Sequence, residues 1–159
     1  MIKNNKKGKF KQINQEKNNS DCSFSDENEV EVKEKPLSRS DINELICKAK
    51  NTESVLEIIE LSKNSNPQVR LKAIQRLCPC RVLDDIKIFW DRIFEMVTDE
   101  DAKVRYQILH NMCDGSPPEY ESRVVEALDV FNKDSDKEVR RRAHKVMGSY
   151  LKTGKLNVL

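Results

Sequence analysis

The amino-acid sequence predicts an all-α protein: about three stacked helical hairpins, with a capping helix and a charged, disordered tail ahead of them. Three observations carry this expectation. Gly and Pro number only 4 and 5 in 159 residues, which disfavours a turn-rich all-β chain. From Leu37 onward, apolar residues recur at helical spacing. Above all, Val69-Arg70, Val104-Arg105 and Val139-Arg140 stand 35 residues apart, and a fixed period of that size marks a repeat architecture.

Residues 1–36 form the tail. Residues 1–20 hold six Lys against one Glu, and residues 21–35 hold six acidic residues against two Lys. Apolar residues are too sparse there to offset the entropy of ordering. Residues 37–51 are the capping helix, with Ile42, Leu45, Ile46 and Ala49 on one face and Ser38 or Ser40 as N-cap. The repeats are assigned to 52–80, 81–116 and 117–159. Thr52 is expected to cap the first hairpin, whose leading helix carries Val55, Leu56, Ile58, Ile59 and Leu61.

In each repeat a first helix (A) is followed by a turn and a second helix (B). In register, the B segments read NPQVRLKAIQRLC, DAKVRYQILHNMC and DKEVRRRAHKVMG. Ala73, Ile108 and Ala143 coincide, as do Leu77, Met112 and Met147. The period reaches back into the A helices, where Ile58, Ile93 and Leu128 align, followed by Leu61, Met96 and Phe131. Asn66, Asp101 and Asp136 stand where a side-chain oxygen can cap helix B, and Pro67 suits the first helical position. One pair cannot cover its own apolar stripe, so neighbouring pairs must stack.

At these residues the chain resembles the HEAT-repeat family, through the D-x-x-V-R-x-x-A pattern beginning at Asp136 and its relatives beginning at Asp101 and Asn66. The likeness covers about residues 52–150. It implies a right-handed α-solenoid with B helices on the concave face and A helices on the convex one. It also implies an inter-repeat ladder, carried here to Arg70, Arg105, Arg140, Asp101 and Asp136. Asn66 departs from the pattern, as a terminal repeat would.

Charge separates between the layers. The A segments 53–62, 85–97 and 118–131 hold ten acidic and three basic residues; the B segments 67–78, 102–113 and 137–150 hold ten basic residues and one acid, Glu138. With 69, 73 and 77 facing the core, positions 72, 75 and 76 point away from it. The expected partner-binding residues are therefore Lys72, Gln75, Arg76, Gln107, His110, Asn111, Arg142 and Lys145, a groove free of carboxylates. Such a face suits an acidic protein or peptide segment. The alternative is non-specific nucleic-acid binding through the same face and the basic run 137–159, although stacking aromatics are scarce apart from Tyr106.

Other functions are not expected. Cys78, Cys80 and Cys113, with His110 near, lack paired zinc spacing and read as buried thiols, so no metal or cofactor is assigned. Phe89, Trp90 and Phe94 read as core. No nucleophile–base set, carboxylate pair or phosphate loop stands out, so the protein is expected to be non-catalytic. With no apolar run of membrane-spanning length, no secretory signal and five Cys read as reduced, the expected location is cytoplasmic, with a nuclear one as the alternative.

Overall fold

The computed structural model describes residues 37–79 and 87–156. The expected disordered tail, Cys80 and the start of the second A segment lie outside the described residues. The chain divides into two units, Met1–Glu34 and Lys35–Leu159, and only the second contains described residues. Among these are seven α-helices and no strand: α1 Arg39–Asn51, α2 Val55–Leu61, α3 Pro67–Arg76, α4 Lys87–Glu95, α5 Ala102–Cys113, α6 Glu121–Phe131 and α7 Lys137–Thr153. Short 3-10 turns, Met96–Thr98 and Pro118–Tyr120, follow α4 and precede α6.

Local chemistry explains where each helix starts. Ser38 and Asp41 form a reciprocal capping box on α1. Asn66, Asp101 and Asp136 each accept a backbone N–H from the first turn of α3, α5 and α7. Thr52 does not cap α2: it is the C-cap of α1, and Ser54 caps α2 instead. The last helix ends at Gly154, whose φ of 65° is left-handed and whose N–H reaches Tyr150 O at 2.7 Å.

Helix α3 packs between α1 and α5, and α5 in turn packs against α7. The stripe read from the 35-residue register lies between these helices. Val69, Ala73, Leu77, Val104, Ile108, Val139 and Ala143 are wholly buried, as are Ile93 and Phe131. On the A side, Trp90 meets Phe89 edge-on at 4.8 Å and Tyr120 at 5.4 Å, and Arg123 lies 4.0 Å over the Phe94 ring.

Ion-pair rungs join successive hairpins, with acids two residues ahead of the expected ones. Arg70 pairs bidentately with Asp99 at 2.9 and 2.9 Å, and Arg105 with Asp134 at 2.7 and 2.7 Å. Asp101 and Asp136 are committed as N-caps, so they are not the rungs. Each arginine also donates to two carbonyls of its own turn: Asn64 and Ser65 for Arg70, Asp99 and Glu100 for Arg105. Arg140 makes the same carbonyl contacts, to Asp134 and Ser135, and it has no ion pair among the described residues.

The rung acids share one register position, which holds Asn64, Asp99 and Asp134 in the three copies. Each of these side chains also accepts the N–H two residues on, at 2.7–2.9 Å. An amide can brace the turn as well as a carboxylate can. A negative charge is needed only where an arginine arrives from the preceding hairpin, and the position is Asn only in the first copy.

Candidate functional site

All eight expected partner-binding residues lie on α3, α5 and α7, but the structure divides them. Asn111 is wholly buried. Its amide donates to Ile74 O at 2.9 Å and Leu77 O at 3.1 Å and accepts from Gln107 at 2.8 Å. It therefore holds the last carbonyls of α3 and is not on offer to a partner. Arg76, in register with Asn111, makes a comparable tether by donating to Thr52 O, at the end of α1, at 3.2 Å. Side-chain direction from the period alone misses these tethers, because this position meets the end of the preceding helix of the same layer.

Six residues remain, and Gln107 among them is engaged by Asn111. Lys72 bonds Gln75 at 2.9 Å on α3, and His110 stands partly exposed on α5. Arg142 and Lys145 line a cleft of about 280 Å³ with Tyr106, Glu138 and Arg141. Tyr106 is 40% exposed there. The cleft is not free of carboxylates, since Glu138 lines it, but that acid is engaged by Arg141 at 2.8 Å. Arg142 and Lys145 have no ion pair among the described residues. A larger cleft, about 540 Å³, lies elsewhere, at the turns entering α5 and α7, and includes Asp99, Glu100, Asp129 and Asp134.

The cysteines also separate. Cys78 and Cys113 are both buried, as expected, and neither is in a disulfide. Burial pushes the Cys113 thiol up to about 12, with Arg142 opposing weakly. Cys78 sits at the end of α3 in polar company. Its Sγ is 3.2 Å from Asp114 Oδ2 and 3.9 Å from His110 Nε2, and that nitrogen is 3.9 Å from the same carboxylate oxygen. These three donors form the one metal-type cluster among the described residues. Asp114, which follows α5, carries no signal in the sequence, because nothing in its spacing from Cys78 marks it.

The chain has no match among protein-family models, curated proteins or solved structures. Among the described residues no helix is long and apolar enough to cross a membrane.

Proposed function

We propose that this helical unit is a non-catalytic interaction scaffold: a short HEAT-type α-solenoid whose B helices bind an acidic segment of a partner protein. The observation that supports this reading most is the cationic cleft between α5 and α7, where Arg142 and Lys145 flank an exposed Tyr106. Buried rungs at both hairpin boundaries fix α3, α5 and α7 relative to one another. Pre-positioned cations lose little freedom on binding, which lowers the cost of association. Lys72 extends the positive face onto α3, and Arg76 leaves the set because it donates to Thr52 O at the end of α1.

The test is a titration of the full chain with a fluorescent Glu/Asp-rich peptide, and with Lys72→Glu, Arg142→Glu and Lys145→Glu combined. The wild type is expected to bind, and the triple variant to lose about tenfold or more at unchanged helicity. Equal binding by the two would remove the assignment. Tyr106 beside three cations is the observation that favours the second reading, a nucleic-acid backbone with a stacked base. An oligonucleotide that binds more tightly than the peptide, with a steep salt dependence, would select that reading instead.

A further inference from the structure

We infer that Cys78, His110 and Asp114 form a zinc site that clips the end of α3 to the end of α5. The donors are a thiol, an imidazole nitrogen and a carboxylate oxygen, a mixture suited to zinc. Bond lengths to zinc place neighbouring tetrahedral donors about 3.4–3.6 Å apart. The observed separations of 3.2, 3.9 and 3.9 Å each lie within about half an ångström of that span. One nitrogen, Nε2, faces both the sulfur and the carboxylate oxygen. A catalytic Cys–His–Asp relay would instead use the two imidazole nitrogens for its two neighbours, so the geometry favours a shared cation.

The backbone is arranged for this convergence. Asp114 is the C-cap of α5, and the next residue, Gly115, has a φ of 146° that other residues rarely adopt. Its α-carbon lies close to Pro79, where an added Cβ would stand 3.5 Å from the proline ring. The turn thus folds over the segment after Cys78 and carries Asp114 onto the sulfur. The histidine and aspartate side chains are 38% and 30% exposed, which leaves an approach for the ion. Among the described residues three protein donors converge, which leaves a fourth coordination position open. On binding, the Cys78 thiol releases its proton to solvent and the sulfur ligates as thiolate.

The repeat supplies an internal control. One period on from Cys78, His110 and Asp114 stand Cys113, Lys145 and Ser149. The sulfur recurs, but the imidazole and carboxylate do not. Packing alone explains a small buried residue at both boundaries; it does not explain two further donors at only one.

The test uses the reduced, chelator-treated full chain titrated with Co²⁺ and then Zn²⁺. The expected result is one Co²⁺ per chain with a thiolate-to-metal charge-transfer band and the intense visible bands of four-coordination, displaced by Zn²⁺. Cys78→Ser should abolish the charge-transfer band. His110→Ala and Asp114→Asn, at partly exposed positions, should weaken Zn²⁺ binding by at least about tenfold in competition with a chromophoric chelator. Cys113→Ala should leave both readouts unchanged. Absence of saturable binding, a charge-transfer band that survives Cys78→Ser, or unaltered Zn²⁺ affinity in both His110→Ala and Asp114→Asn would overturn the site. If Cys78→Ser does not fold by circular dichroism, the histidine and aspartate variants decide.

Discussion

The boundary between the first and second hairpins and the boundary between the second and third are built to one plan at the rungs and to two plans away from them. At the turn edge both carry a buried Arg–Asp rung, Arg70–Asp99 and Arg105–Asp134. Away from the rungs the first boundary holds Cys78, His110, Asp114 and the Asn111 tether at the ends of α3 and α5, whereas the second carries the cleft of Tyr106, Arg142 and Lys145 along the first half of α5 and α7. Where the repeat must stack, the chemistry recurs. Where it need not, the residues diverge, and there the candidate sites lie.

The largest effect should come from cutting a rung. Asp134→Ala leaves the buried Arg105 guanidinium without its anion and should cost about 3–5 kcal/mol in denaturant unfolding. Arg140→Ala removes only carbonyl contacts among the described residues and should cost about 1–2 kcal/mol. Equal losses would show that the ion pair adds nothing beyond bracing its own turn. The rung also sets an acid dependence. The Arg105 guanidinium holds the Asp134 carboxyl below its ordinary value, against an opposing push from burial. The folded state therefore takes up that proton at lower pH than the unfolded chain does. Its stabilisation is present above the unfolded value of about 3.9 and is lost as pH falls through the folded one. Arg105→Ala should flatten this part of the stability–pH curve.

The rungs show how far the sequence can be read. A fixed 35-residue period identifies the buried stripe, the cap positions and the three arginines, because burial and capping are local consequences of helical geometry. The acid partner expected from the family resemblance is two residues off. Asp99, Asp101, Asp134 and Asp136 all recur with the period, so register alone does not tell a cap from a rung. The A segments expected from the sequence are a little long, since 3-10 turns at Met96–Thr98 and Pro118–Tyr120 continue their apolar pattern. Asp114 is invisible in the sequence for another reason: its meeting with Cys78 depends on the turn at Gly115, which no periodicity encodes.

An intermediate effect is expected at Asn111. Alanine there removes a buried donor from the carbonyls of Ile74 and Leu77, of which Ile74 O keeps the Leu77 N–H, at about 1–3 kcal/mol, and its register mate across the second boundary, Val146, needs no such tether. Asp101→Ala should be milder, about 1 kcal/mol, the usual loss of an N-cap. Thermal unfolding of Asp101→Ala beside Asp134→Ala separates the two acid roles. A loss at Asp101 as large as that at Asp134 would return the ladder to the acid that the family resemblance assigned.

The smallest effect on stability should be at the cleft itself. Arg142→Glu with Lys145→Glu changes two cations that have no ion pair among the described residues, and surface changes of this kind usually stay within about 0.5 kcal/mol. Relief of repulsion within the row Arg140, Arg141 and Arg142 would push the value toward stabilisation, while the new carboxylates would lie near Glu138 and push it back. Near-cancellation is therefore expected in urea unfolding, alongside loss of acidic-peptide binding. A clear drop in stability would mean that these side chains brace α7 against α5, and the cleft would then belong to the stack rather than to a partner.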